Sequence, residues 1–228
     1  MNNTHQFEFR SPQPVSLRAT EAELPTVHVV DDDLHVRVAL ARLLGATGCY
    51  QVQAHSCAED FLAAYNPDVN ACLVLDVALP GLDGVGLAHR LQEGAHAVSI
   101  VFLSGCADVP MCADAMRRGA VDFLTKPVDA ELLFSAVARA IEQDATLRAL
   151  QVQQDLATAR MATLTPREKE VLAHVAQGRM NKQIAGYLGT AEKTVKVHRA
   201  RVMEKMRVRS VAELVRLMER GRVGSELR

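Results

Sequence analysis

The 228-residue chain is 49% apolar and 23% charged with a formal net charge of −1, an ordinary globular make-up that is long enough for two small cores. It has no run of 18 apolar residues and its first residues are polar, which argues against a membrane span or a secretory leader and predicts a cytoplasmic protein. The near-neutral total hides a division: residues 25–145 hold 16 acidic and 7 basic groups, whereas residues 161–228 hold 15 basic and 7 acidic, so the second half suits a polyanion that the first would repel.

Residues 1–24 mix Ser, Pro, Gln and Glu with few apolar positions and read as a flexible arm. From Thr26 onward, short apolar runs alternate with amphipathic stretches. The runs are Val27–Val30, Tyr50–Ala54, Ala71–Leu75, Ser99–Leu103 and Val121–Leu124. Between and after them come Val36–Leu44, Ala58–Tyr65, Val85–Leu91, Val109–Met116 and Glu131–Ile141. Five strands, each followed by a helix, predict an α/β unit: a (βα)5 doubly wound parallel sheet over residues 25–143, with its ligand site beyond the carboxyl ends of the strands. The stretch from Ala130 to Arg160 lacks Gly and Pro and predicts one continuous helix, of which 144–162 form a linker. Its Leu147, Leu150 and Leu156 either pack against a second copy or stay solvated. Five cysteines, Cys49, Cys57, Cys72, Cys106 and Cys112, form an odd set without C-x-x-C spacing, which argues against zinc or a disulfide framework.

Parallel strands deliver their carboxyl ends to one edge, so Asp31, Asp32, Asp76, Ser104 and Lys126 are expected to converge. Crowded carboxylates require a cation, and Mg2+ suits an all-oxygen donor set. An Asp carboxylate can attack a phosphoryl group when cations offset the charge on the transferring oxygens. Asp76 stands alone at the end of the most apolar strand and is the candidate nucleophile; Ser104 and Lys126 are placed to meet the phosphoryl oxygens.

This stretch resembles the receiver domains of two-component systems, which are flavodoxin/CheY-like in fold. The resemblance rests on the acidic pair, the isolated Asp, the Ser, the Lys126-Pro127 step and a D-x-x-x-P-x-x-x-G run from Asp76 to Gly84. It implies that Mg2+ is held by Asp32, Asp76 and the Ala78 carbonyl, with Asp31 acting through a metal water. It also implies a cis Lys126-Pro127 bond and a switch in which Ser104, on meeting phosphate, draws in Phe123. Phe123 also has a simpler reading, because an apolar residue in a buried strand is usually core. Cys106 stands where the family often has His or Tyr, and reads as a redox thiol or, more simply, as packing.

Beyond Thr163 the pattern is wholly helical. Thr165 caps a helix with Pro166 first and Glu168 three beyond the cap, and Gly178 ends it. Asn181–Leu188 and a basic helix from Glu192 to Met206 flank a Gly189-Thr190-Ala191 turn, the arrangement of a helix-turn-helix. Val195, Val202 and Met206 should face inward. Lys193, Thr194, Lys196, Val197, Ala200 and Arg201 would then face the major groove, with Lys182, Arg199 and Lys205 placed for phosphates. Residues 163–228 resemble the four-helix LuxR-type DNA-binding domain through Asn181–Ala185, Thr194–Arg199 and Ala212–Arg216. The whole chain is similar to FixJ/NarL-type regulators, and the Asp108–Met111 and Gly119–Phe123 stretches look most like the FixJ branch.

The resemblance implies a transcription regulator with no external substrate, phosphorylated on Asp76 by a histidine kinase. It further implies a homodimer on promoter DNA, with RNA polymerase as a further partner. An Asp-nucleophile phosphatase and a regulator that ignores phosphate are the rival readings.

Overall fold

A computed structural model of the chain describes residues 24–92, 98–105 and 109–226. Most of the arm predicted for residues 1–24 lies outside these, as do Cys106 and Asp108.

The first part alternates as expected: β1 (Thr26–Val30), α1 (Leu34–Gly45), β2 (Gln51–His55), α2 (Ala58–Ala64), β3 (Ala71–Asp76), α3 (Gly84–Gln92), β4 (Ser99–Ser104), α4 (Val109–Arg117), β5 (Asp122–Thr125) and α5 (Ala130–Ala162). The strands form one parallel sheet in the order β2-β1-β3-β4-β5. Every residue of β1, β3 and β4 is buried, as two-sided coverage of a parallel sheet demands. Alternate side chains feed two cores. Val30, Leu73, Leu75 and Phe102 meet Phe61, Leu87 and Ala115 of α2, α3 and α4. On the opposite face Val27, Val29, Val74 and Val101 meet Leu40 and Leu44 of α1 and Leu133, Val137 and Ala140 of α5.

Local signals set the helix starts. Asp33 caps α1 by accepting from the His35 and Val36 amides, and Asp129 caps α5 in the same way. The first of these moves the start of α1 two residues ahead of its apolar pattern.

At 33 residues α5 is roughly 50 Å long. Its first half is pinned by buried Asp144, which accepts from the Ala71 amide at 3.0 Å and pairs with Arg148, itself a donor to the Pro67 carbonyl. Its far end buries Ala157, and Arg160 donates to the Met206 carbonyl. Leu147, Leu150, Val152 and Leu156, between the two, are about half exposed; in the single chain this segment is solvated.

The second part holds α6 (Pro166–Ala176), α7 (Asn181–Leu188), α8 (Glu192–Lys205) and α9 (Val211–Glu226). The reciprocal cap of α6 is present, with the Thr165 side chain on the Glu168 amide and the Glu168 side chain on the Thr165 amide. Gly189 closes α7 in the left-handed region at φ +60, which turns the chain sharply into α8. Val171, Ile184, Val195, Val202, Met206 and Leu214 form the third core, which includes each residue expected to face inward from the basic helix. Among the described residues no helix is long and apolar enough to cross a membrane.

Candidate functional site

Strand register assembles the acidic edge. Val30 lies beside Leu75, Asp76 beside Leu103, and Ser104 beside Thr125. Asp31, Asp76, Ser104 and Lys126 therefore stand in one row at the carboxyl ends of four neighbouring strands. Asp31, Asp76 and Ser104 are buried, Lys126 is half-buried and Asp32 is exposed at the rim.

Lys126 is the hub. Its Nζ lies 2.7 Å from Asp76 Oδ2 and 2.7 Å from Asp31 Oδ2. The contact to Asp76 is a hydrogen bond. The contact to Asp31 is close but poorly aligned, and it leaves Asp31 Oδ2 buried without a hydrogen-bond partner. An orphaned anionic oxygen in this position is costly. Burial accordingly raises the Asp31 pKa, although Lys126 and the Asp33 amide pull it down. Burial also works against the charge on Lys126, but its close contacts with the Asp31 and Asp76 carboxylates prevail and raise its pKa. The other Asp31 oxygen accepts from the Asp33 amide at 3.0 Å, and Asp76 Oδ1 from the Ala78 amide at 3.2 Å.

One carboxylate oxygen from each of Asp31, Asp32 and Asp76 lies within 4.8 Å of the other two. Three hard oxygen donors, beside a buried carboxylate oxygen that lacks a hydrogen-bond partner, fit a divalent cation such as Mg2+. One support of this pocket, Arg37, escaped sequence reasoning, and the glycine of the Asp76–Gly84 run gains a physical role. Arg37 Nη1 donates to the Asp31 carbonyl at 2.7 Å and to that of Asp32 at 3.3 Å, which holds the acidic loop from α1. Gly84 donates its amide to the Val77 carbonyl at 3.1 Å, and a Cβ at this position would stand 2.3 Å from the Asp76 carbonyl oxygen. Close backbone approach therefore explains the glycine of the Asp76–Gly84 run. Phe123 is half-buried against the first core, 6.4 Å from Phe102 between ring centres. The Lys126-Pro127 bond is cis.

The basic half presents a different surface. Lys193, Thr194, Lys196, Val197, Ala200 and Arg201 are all exposed on α8, and Lys182 is exposed at the start of α7. The structure engages the other two expected phosphate contacts internally. Arg199 donates to Asn181 Oδ1 at 3.1 Å. Lys205 binds Glu168 Oε2 at 2.6 Å and the Thr163 carbonyl at 3.1 Å. Hydrogen bonding to Lys205 and to the Thr165 amide holds the buried Glu168 carboxyl down at a pKa of about 2. Sequence could not reveal this pair, because the partners lie on helices 37 residues apart.

Comparison with known proteins agrees with this division. Residues 27–138 match the family described as response regulator receiver domain, and residues 162–218 match bacterial regulatory proteins of the luxR family. Nodulation protein W of Bradyrhizobium diazoefficiens is 42% identical over 216 residues, 95% of this chain and 93% of that protein. Transcriptional regulatory protein FixJ of Rhizobium meliloti is 40% identical over 200 residues, 87% of this chain and 97% of that one. Among solved structures, response regulator StyR aligns with a TM-score of 0.75 at 43% identity, covering 86% of this chain and 98% of that chain. Full-length FixJ from B. japonicum aligns at 0.51 and 35%, covering 87% and 98%.

Proposed function

Because the chain belongs to the two-component response regulators that join a receiver domain to a LuxR-type DNA-binding domain, we propose that Asp76 is its phosphoacceptor and that phosphorylation there controls promoter binding. The observation that carries this reading is the Asp76 carboxylate, buried at the end of β3, beside two further carboxylates and on the Nζ of Lys126. We take residues 25–143 as the receiver, 144–162 as the linker and 163–228 as the DNA-binding domain.

In this reading an Asp76 oxygen attacks the phosphorus of a phosphohistidine on the partner kinase. The P–N bond breaks, the histidine leaves with that electron pair, and an aspartyl phosphate forms. Lys126 moves from bridging Asp31 and Asp76 to pairing with a phosphoryl oxygen, and the Ser104 hydroxyl donates to another. Asp31, Asp32, Asp76 and the Ala78 carbonyl would hold Mg2+, which when bound offsets the charge of the carboxylates and the transferring oxygens. Phe123 follows Ser104 inward and alters the surface of α4 and β5, so that receivers pair. Dimerisation places two α8 helices on one duplex and raises a weak single-domain affinity through effective concentration. Lys193, Thr194, Lys196, Val197, Ala200 and Arg201 face base edges, and Lys182 a phosphate. Arg199 and Lys205 orient the helix from within and reach phosphates only if their internal bonds exchange. The protein acts in the cytoplasm, takes no external substrate and presents the bound promoter to RNA polymerase.

Incubation with a small acyl-phosphate donor and Mg2+, followed by intact-protein mass spectrometry, tests the acceptor. The wild type should gain one phosphoryl group and Asp76→Asn none. Equal uptake by both would remove Asp76 from this role.

A further inference from the structure

We propose that Tyr187, with Arg179 and Met180 beside it, forms a docking surface for an acidic segment of the polymerase that assembles on the bound promoter. The inference rests on the DNA-binding reading above and deepens it by naming where the polymerase touches this chain.

Tyr187 is 66% exposed and Met180 67%, the two most exposed of the large apolar side chains among the described residues. Met180 precedes α7 directly, and Tyr187 follows it by seven residues with exposed Gln183 between, a spacing that puts all three on one face of the helix. A lone exposed tyrosine is ordinary, but this ring is held in place. The ring of His174, near the end of α6, stacks on it with 5.4 Å between centres and 18° between planes, and Arg179 Cζ stands 4.2 Å from its centre. Arg179 Nη1 also donates to His174 Nδ1 at 2.8 Å. Guanidinium and imidazole therefore lie together over one face of the tyrosine ring and leave the other face open. A ring fixed in advance loses little freedom when a partner covers it, and Tyr, Arg and Met are enriched where proteins meet.

The chemistry favours a protein over the duplex. A phosphate would pair with Arg179 but gain nothing from a thioether or from the open face of a phenol. A segment with a carboxylate beside an apolar side chain satisfies all three groups, the carboxylate on Arg179 and the apolar group on Tyr187 and Met180. The position of the patch agrees. The helix that carries His174, α6, sends Val171, Leu172 and Val175 into the core with Val195 and Val202 of α8, so it packs behind the face of α8 assigned to the bases.

For the test, the full chain, treated with acyl phosphate and Mg2+, is placed on a duplex that it enriches from a random pool and that lacks promoter elements. Recruitment of purified RNA polymerase holoenzyme is read by biolayer interferometry. The wild type should recruit the enzyme, more weakly as salt rises. Tyr187→Ala and Arg179→Ala should each lower recruitment at least about tenfold, and Tyr187→Phe, which keeps the ring, should retain it. Duplex affinity and the helical circular dichroism signal should stay as in the wild type. Undiminished recruitment by Tyr187→Ala, or none by the wild type on its duplex, would overturn the inference and leave the DNA-binding reading standing. A matching fall in duplex affinity would overturn it too, by assigning the patch to DNA. If the pool yields no preferred sequence, the inference falls together with the DNA-binding reading.

Discussion

Each half of the molecule contains a lysine bonded to buried carboxylate, and the two clusters differ in how completely they are satisfied. In the helical half Lys205 meets one carboxylate, Glu168, which also takes the Thr165 amide, while a second Lys205 proton goes to the Thr163 carbonyl. In the sheet half one lysine serves two carboxylates, and Asp31 Oδ2 is left without an aligned donor. A closed network fixes a shape. An under-satisfied one has something to gain from a cation and a phosphoryl group, and in the proposed function that difference separates a brace from a switch.

Neutralising each lysine should expose the contrast most strongly. Lys126→Met leaves Asp31 and Asp76 uncompensated and should destabilise the sheet half by roughly 2–4 kcal/mol, a loss that Mg2+ partly restores. Lys205→Met should lower the melting temperature of the helical half without any rescue by Mg2+ and without change in phosphoryl uptake. Urea unfolding with and without the metal checks both, and equal rescue of the two variants would erase the distinction. Next in size is Gly84→Ala, whose methyl group collides with the Asp76 carbonyl. It should cost roughly 2–3 kcal/mol and weaken metal binding, as measured by calorimetric titration.

Acid should separate the halves by pH. Burial and then the neighbouring His55 lower the His28 pKa to about 4 from an ordinary 6.5. The unfolded chain therefore binds more protons in that interval, and the sheet half loses stability as pH falls through it. Glu168 is held at about 2 against an ordinary 4.5. Its contribution is complete above 4.5 and declines only as pH drops from there toward 2. Amide NMR during an acid titration should show the sheet half failing first, and His28→Leu should move that failure to lower pH. Simultaneous loss of both halves would contradict the assignment. The smallest effect is expected at the surface pair of Arg139 with Asp122: Arg139→Ala should change stability by under about 0.5 kcal/mol, measured by the same urea series.

The sheet, its helices and the acidic row were readable in the sequence because short continuous apolar runs, buried along their whole length in β1, β3 and β4, and carboxylates at their ends are local signals. The inward face of α8 was readable for the same reason, from the spacing of Val195, Val202 and Met206. Pairings between distant elements were not readable. Lys205 looks like any other cation of the basic helix until the fold brings Glu168 beside it. The buried His28–His55 contact, 3.1 Å between ring nitrogens, joins neighbouring strands whose register no single segment encodes. Arg37 likewise reads as an ordinary surface arginine until α1 turns it back onto the loop before it.

The central claim is that the unsatisfied cluster governs the basic half, and operator affinity in the presence and absence of acyl phosphate and Mg2+ measures it directly. The phosphodonor should tighten binding by the wild-type chain at least about tenfold through dimerisation and leave Asp76→Asn unchanged. Identical affinities for wild type with and without the donor, under conditions where Asp76 is shown to be phosphorylated, would contradict the account.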